Sequence, residues 1–508
     1  MAFLPALFLL VATATATATS TAECCDLLAQ TFPSQLVLPD SNSYNASTSS
    51  YFFMQQRVLA PTCIVQPKSD EDVSKVVKTI QSCTDVEVAI RSGGHSPNVG
   101  FSNANAGVTI DLRGLNKIEL SADGNTVELG TGNEWINVYE KLDPLGKSVV
   151  GARVADVGVG GFLSGGGISF FSPRDGFGCD SIQSMRVVLA SGAIVTASPQ
   201  LNPTLFKALK GGQNNFGIIT SFTLRTITPS RFWGGAVVTP ESADPAQIEA
   251  FTKFKQAPHD PLLEIEQTFV YYGSQKSYFV SNNLFFLSDS EDRSSLDQFT
   301  SITPNLSSTL RLSNVTDFAR EVQAGQPMNF FTVYATTTFP ITDTNIKLTY
   351  DIWKATTESL KVQIPELTSA MTYQSIPPPT SDTSLFPFST LEDTSNLVLL
   401  LISVYSPKES DYAVLQQSTK DFINDVETLL REPGNGGVSP YKYLNYAASW
   451  QDPLSGYGEN TVQELKATAK QYDPYGFFQN VVKGGYKLKW SILLMFLLDG
   501  KTYAHSQY

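Results

Sequence analysis

Val86-Glu87-Val88-Ala89-Ile90 runs directly into Arg91-Ser92-Gly93-Gly94-His95-Ser96. The first five residues alternate, which is the period of a strand with one buried face. The next six predict a turn: two adjacent glycines carry no Cβ, so the backbone can bend sharply and bring its N–H groups together on an anion. Two later runs have the same character, Gly158-Val159-Gly160-Gly161-Phe162-Leu163-Ser164-Gly165-Gly166-Gly167 and Lys210-Gly211-Gly212-Gln213-Asn214-Asn215-Phe216-Gly217. One glycine pair is ordinarily a tight surface turn. Three such runs, with the early histidine inside the first, point to a large phosphate-bearing cofactor.

Outward from this stretch the pattern stays legible. Upstream, Ser69 and Asp72 form an S-x-x-D helix start, and Val73, Val76, Val77 and Ile80 share one helical face up to Cys83. Downstream come a strand at residues 108–112, a strand at 126–129 and a helix at 134–145. A hairpin split by Ser191-Gly192, a short helix at 205–210 and a strand at 216–227 follow. Between residues 231 and 440 glycine thins out and aromatic runs appear, among them Phe269-Val270-Tyr271-Tyr272 and Phe330-Phe331-Thr332-Val333-Tyr334. Together with a helix at 412–430 they predict an antiparallel sheet covered by helices on one face. Residues 441–488 read as a return segment, with a helix at 461–472 stopped by Asp473-Pro474-Tyr475-Gly476. The fold class is α+β.

Composition narrows the class. The 508 residues predict two or three domains at roughly 150 residues each. Charged residues make up 16% against a usual share of about 25%, and 42% are hydrophobic, so the chain folds. The balance of 35 basic and 48 acidic residues, with no basic stripe, excludes nucleic acid as a partner. The apolar run from Phe3 to Val11, then alternating Ala and Thr, predicts a secretory leader over residues 1–22. Cleavage is expected near Ala16 and Ala18 or at Ala22, although the leader lacks its usual Lys or Arg. The apolar core is far below the ~20 residues of a membrane span. The expectation is a secreted monomer, with retention in the secretory pathway or vacuole as the alternative. Sequons at Asn45, Asn305 and Asn314 are expected on exposed loops. Cys24 and Cys25 are expected to bridge to Cys63 and Cys83 in either pairing, and Cys179 to pack as a small apolar group. Residues 489–508 read as an extension, with the apolar run 492–498 too short to span a bilayer.

Several chemistries fail on spacing. Gly146-Lys147-Ser148 lacks the P-loop glycine, because Lys141 stands there. No G-x-G-x-x-G opens a helix after the first strand, and neither H-E-x-x-H nor G-x-S-x-G occurs. With His95, His259 and His505 as the only histidines, a metal centre is not expected. The difficult step therefore falls to an organic cofactor.

The chain resembles the FAD-linked oxidoreductases of the vanillyl-alcohol-oxidase type, with a PCMH-type FAD-binding domain, in their berberine-bridge-enzyme-like branch. The resemblance covers residues 24–488. It is carried by Pro61-Thr62-Cys63-Ile64-Val65-Gln66-Pro67, the 91–96 turn, residues 154–167, Phe216-Gly217-Ile218, Tyr443-Leu444-Asn445-Tyr446 and Tyr472-Asp473-Pro474. It implies a two-part FAD-binding domain, residues 23–230 (core about 57–229) plus the return at 441–488, with a substrate domain inserted at 231–440. It places Arg91, Ser92, Gly93, Gly94, His95 and Ser96 at the cofactor. Val157, Gly158, Gly161, Ser164, Gly165, Gly166, Gly167, Ile218 and Asn445 join them. His95 matches the histidine bonded to the flavin 8α methyl. Val154 replaces the cysteine that forms a second link in many relatives, so one covalent bond is expected.

The resemblance makes Tyr446, which ends Y-x-N-Y, the substrate-side base, with Tyr443 beside it. A phenol near pKa 10 needs a neighbouring cation to act near neutrality. The Asp that relatives often carry two places on is Ala448 here. Other departures are Asp175 for a Tyr, Lys207 for a Trp, and Gln213 inside a glycine triplet. Val157 matches a small residue of relatives that react well with oxygen. The expected activity is hydride removal from a C–H or C–OH of a small molecule, with molecular oxygen as acceptor. A natural-product intermediate is favoured over a carbohydrate or simple alcohol. The rivals are a dehydrogenase with another acceptor and an inactive secreted flavin-binding protein.

Overall fold

The strand that opens onto the first glycine turn, Val88–Arg91, pairs in parallel with Val108–Asp111, which pairs in parallel with Cys63–Val65. Leu36–Val37 adds an antiparallel edge, giving a four-stranded sheet. This computed structural model describes residues 20–488 except 229–230, 291 and 382. The body of the expected leader and the 489–508 extension lie outside the described residues. The helix Asp70–Gln81 links two of the parallel strands. Its start follows the sequence: Ser69 Oγ accepts the Asp72 N–H at 3.2 Å, and three acids in the first turn favour the positive end of the helix. Val73, Val76 and Val77 are fully buried beneath it.

Two disulfides tie the N-terminus to this unit, Cys24–Cys83 and Cys25–Cys63. They start from the helix Thr21–Thr31, capped reciprocally by Ser20 and Glu23. Ala22, the last residue of the expected leader, lies inside that helix. Cys179 is buried and unbridged. Asn45 and Asn314 correct an expectation, because they sit on the helix Asn42–Ser49 and at the end of the strand Arg311–Asn314, not on loops. The Asn314 side chain caps the helix Val315–Ala324 by accepting the Asp317 N–H at 2.9 Å. Asn305 is on an exposed loop as expected.

A second, antiparallel sheet runs Ile118–Leu120, Thr126–Gly130, Ile218–Arg225, Ile182–Val188, Ile194–Ala197 in spatial order. The expected hairpin is present, with Val188 opposite Ile194. The helix Asp70–Gln81 packs against it, and Val188, Ala190 and Ile218 join the core of the first sheet.

The third sheet is antiparallel and eight-stranded. Its long strands are, in spatial order, Arg231–Pro240, Ser277–Phe286, Leu263–Tyr272, Thr368–Ser375, Leu397–Ser406 and, at the edge, Phe331–Pro340. Alternation along each strand decides which face a residue meets. Ile265, Phe269, Met371, Leu400, Ile402 and Val333 pack in one core with Phe251, Trp353 and Phe422 of the helices Asp244–Gln256, Asn345–Gln363 and Tyr412–Leu430. The residues between them, such as Glu266, Thr268, Thr372 and Ser403, point the other way and line a cavity. Among the described residues no helix is long and apolar enough to cross a membrane.

The return segment closes the structure. Its helix Glu459–Tyr472 is anchored by Lys207 Nζ on Glu464 at 2.7 Å, which gives the Lys207 departure a role. The helix ends at Tyr472; beyond it Gly476 takes φ +70°, and the Asp473 carboxylate accepts the amides of Phe477 and Phe478 at 2.8 and 2.7 Å. Val482 then bridges Val88 in parallel. Asn215 Nδ2 donates to Tyr486 O at 2.8 Å, so the last described residues sit on the third glycine run.

The disulfides close segments separated by 59 and 38 residues, worth about 4 kcal/mol each in a chain-entropy account. The paired change Cys25→Ser with Cys63→Ser is expected to cost about 2–4 kcal/mol, read as a lower thermal midpoint. An unchanged midpoint would show that this bridge does not staple the fold.

Candidate active site

The first two glycine runs touch backbone to backbone. A Cβ on Gly93 would lie 2.6 Å from Gly158 N, and one on Gly158 would lie 2.2 Å from Gly93 N. Ser92 bolts the turns together: its hydroxyl donates to Thr131 O at 2.7 Å and accepts the Gly160 N–H at 3.1 Å. Ser92, Gly93, Gly94, His95 and Ser96 all line the cavity. Arg91 does not. Its guanidinium is buried over the Tyr51 ring at 3.6 Å and donates to Ser47 O at 2.7 Å and Ser50 Oγ at 2.9 Å. The arginine of the run therefore braces the end of the strand against the helix Asn42–Ser49.

His95 is held on three sides. Phe52 lies against its ring at 4.1 Å, Phe53 meets it edge-on at 5.6 Å, and Nε2 faces Asp156 Oδ1 at 3.3 Å. Burial pushes the carboxyl of Glu134 upward, with the Asp156 charge adding to that push.

In the second run Val157, Gly158, Gly161 and Ser164 line the cavity. A Cβ on Gly161 would meet nothing within 4 Å, so this glycine opens onto space. Gly165, Gly166 and Gly167 lie behind that wall. A Cβ on Gly165 would lie 2.0 Å from Asn445 Oδ1, and the Gly167 N–H donates to the Tyr443 hydroxyl at 3.1 Å. Asn445 Nδ2 donates to Phe162 O at 3.1 Å and to the Tyr443 hydroxyl at 3.2 Å. Tyr443 and Asn445 thus clamp the glycine run while still reaching the cavity. Ile218 lines it as well, beside Gln213, Asn214 and Gly217. Gln213 adopts φ +53°, a left-handed conformation that suits the glycine expected at this point.

Tyr446 stands across from these turns, its ring edge-on to Tyr443 at 4.8 Å. Its hydroxyl is 3.2 Å from Arg153 Nη2. Arg153 is buried and held by Glu264, by Glu266 at 3.0 Å and by Gln374 Oε1 at 2.7 Å. Burial pushes the Tyr446 phenol above its ordinary value, and the Arg153 cation pulls it back. Burial opposes the charge on Arg153, but the two carboxylates prevail and raise its pKa, so it stays charged. Burial lifts Glu264 to about 8 and depresses Lys255, which donates to Ser375 Oγ at 3.1 Å, to about 7.

Arg153 is the cation beside the Tyr446 phenol, and the sequence reading missed it. It was hidden beside Val154 in a run read for its glycines. One signal was present: Glu264 and Glu266 alternate with Leu263, Ile265 and Gln267, which puts both acids on one strand face.

The cavity holds about 610 Å3, between the glycine turns and the inner face of the third sheet. That is within the roughly 300–1,000 Å3 of cofactor and substrate pockets. Two observations fit a dinucleotide with a ring tethered near His95. None of the amides of Gly93, Gly94, His95 and Ser96 donates to a protein acceptor among the described residues. His95 Nε2 is buried without a hydrogen bond.

The family described as "FAD binding domain" matches residues 61–198. The chain is 32% identical over 482 residues to an FAD-dependent monooxygenase, drtC, of Aspergillus calidoustus, covering 92% of this chain and 90% of the relative. It is 33% identical over 476 residues to the FAD-dependent monooxygenase sdcF of Emericella nidulans, covering 92% and 98%. Its fold matches a berberine bridge enzyme structure in complex with (S)-reticuline at TM-score 0.72 and 16% identity, covering 92% and 98%. With the glycine cradle, the isolated histidine and the cation-supported tyrosine in place, the chain belongs to the FAD-linked oxidoreductases and shares its fold with berberine bridge enzyme.

Proposed function

We propose that the protein is a secreted oxidase that removes a hydride from a C–H or C–OH of a hydroxylated natural-product intermediate. The observation that carries this reading is the Tyr446 hydroxyl 3.2 Å from the Arg153 guanidinium, on the wall of a cavity whose far side is the paired glycine turns. When bound, FAD supplies the hydride acceptor, and molecular oxygen removes the electrons as hydrogen peroxide. Residues 23–230 and 441–488 hold the cofactor, and 231–440 supply the substrate wall.

The residues divide the work. Tyr446 takes the substrate's hydroxyl proton at its phenolic oxygen as hydride leaves carbon. Arg153 makes this possible by stabilising the phenolate against burial, and Glu264, Glu266 and Gln374 hold the guanidinium in place. Tyr443 and Asn445 keep the glycine wall in register. His95 anchors the isoalloxazine by one covalent bond, and Val154 leaves no second one. Val157, on the cavity wall, leaves a small side chain on the route of oxygen.

The substrate wall supports a neutral, hydroxyl-bearing, partly aromatic ligand. Thr268, Ser281, Asn283, Thr372 and Ser403 offer uncharged hydrogen-bonding groups, and Glu266 is matched by Arg153. Tyr334 and Tyr405, whose hydroxyls lie 3.1 Å apart, add aromatic surface. The two disulfides support an oxidising compartment. The relatives named monooxygenases favour one second reading, transfer of an oxygen atom to substrate. Labelled dioxygen separates the two, because an oxidase places the label in peroxide and a monooxygenase places it in product.

Tyr446→Phe is expected to lower turnover by about 10²–10⁴-fold with FAD content unchanged. Arg153→Gln removes the group that lowers the phenol's pKa, so the limb of the pH profile that rises with deprotonation moves to higher pH. Arg153→Lys keeps the charge and moves it less. A Tyr446→Phe enzyme with full turnover would reject this assignment of the base. Acid precipitation of the wild type is expected to leave yellow pigment in the pellet. His95→Ala releases it to the supernatant, and no flavin appears on a cysteine peptide.

A further inference from the structure

His95 and Asp156 meet where the two glycine turns press together. Phe52 and Phe53 fix the imidazole plane, and Nε2 faces Asp156 Oδ1 at 3.3 Å. Both atoms are buried, and neither has a hydrogen-bond partner among the described residues. A buried polar atom without a partner is uncommon. Two of them facing each other at 3.3 Å, on a histidine and a carboxylate, set a proton acceptor beside the ring nitrogen. Asp156 lies two residues after Val154, on the backbone that packs against Gly93: a Cβ on Gly93 would sit 3.5 Å from Asp156 O. The carboxylate is therefore carried by the same contact that shapes the cofactor wall.

A histidine has two ring nitrogens, and the partner of one decides what the other can do. With Nε2–H directed at a carboxylate, the proton stays on Nε2 and Nδ1 keeps its lone pair. Bond formation at Nδ1 would otherwise leave a cationic ring in a half-buried site.

We propose that Asp156 is the positioning residue for covalent attachment at His95: it fixes the Nδ1-nucleophile tautomer and accepts the Nε2 proton as the bond forms. This rests on His95 being the attachment point, as read above. In the step, Nδ1 forms a bond to the flavin 8α carbon. One C–H bond of the methyl group and the Nε2–H bond break. The two hydrogens and two electrons released pass to dioxygen, which leaves as hydrogen peroxide. The carbon is oxidised and the oxygen reduced, with the Nε2 proton travelling through the Asp156 carboxylate.

The test measures covalent flavin separately from total flavin in the purified full-length holoprotein. Visible absorbance of the native protein gives total FAD, and flavin fluorescence on a denaturing gel gives the covalent fraction. Asp156→Asn is expected to keep FAD bound while its covalent fraction falls at least tenfold at matched times. Asp156→Glu, which restores a carboxylate, is expected to recover part of it. A merely structural role would lower total FAD and covalent FAD together, and that outcome overturns the proposal. So does an Asp156→Asn protein as fully linked as wild type. If wild type and His95→Ala alike release all their FAD on denaturation, the reading of His95 fails first and the role of Asp156 fails with it.

Discussion

The site depends on two stretches of backbone lying closer than any side chain allows. Gly93 and Gly158 come from turns more than sixty residues apart, and each would drive a Cβ into the other's amide. Filling such a contact typically costs about 1–3 kcal/mol in shifted backbone. Here the shift would also separate His95 from Asp156 and break the Ser92 hydroxyl's two bonds. Glycine is thus required here because one chain segment must rest on another, not because the turn alone is sharp. Tyr443 and Asn445 extend the same logic, since the glycines at 165–167 leave room for those side chains to grip the backbone.

The opposite wall follows a different rule. Arg153 is buried with Glu264 and Glu266 around it, and a charge leaves water at a cost of several kcal/mol per ion. A core of aliphatic residues would serve stability as well or better. What the charges supply is a fixed cation beside a phenol in a poorly screened place, where its field on Tyr446 is strong. The sheet makes this possible because residues two apart on a strand share a face. Glu264 and Glu266 both reach Arg153 while Ile265 between them stays in the helix-covered core.

Local patterns carried much of this into the sequence. Ser69 with Asp72 and the valines that follow place a helix to within a residue or two, and the alternating aromatic strands point to a layered antiparallel sheet. The glycine runs show where a cofactor would lie, and Tyr446 stands out once Y-x-N-Y is seen. Pairings across the fold were not legible in the same way. Arg153 meets Glu264 only because sheet and turn are docked, and nothing near Arg153 in the chain announces it. Arg91 looked like part of the cradle, and its identity alone does not reveal that it turns outward onto Tyr51. Asn45 looked like a loop residue because its Ser- and Thr-rich surroundings mask the helix that Ser41 caps.

The path of the chain also imposes an order on biosynthesis. Both disulfides lie within residues 24–83, so that portion can be cross-linked while most of the polypeptide is still being made. The strand beside it waits much longer. Val88 receives Val482, and the third glycine run receives Tyr486, only after the whole third sheet has been made. A chain ending before Tyr446 would carry both bridges yet lack that phenol and one wall of the dinucleotide's berth. The dinucleotide's berth is thus complete only once residues 441–488 have folded back onto the N-terminal sheet.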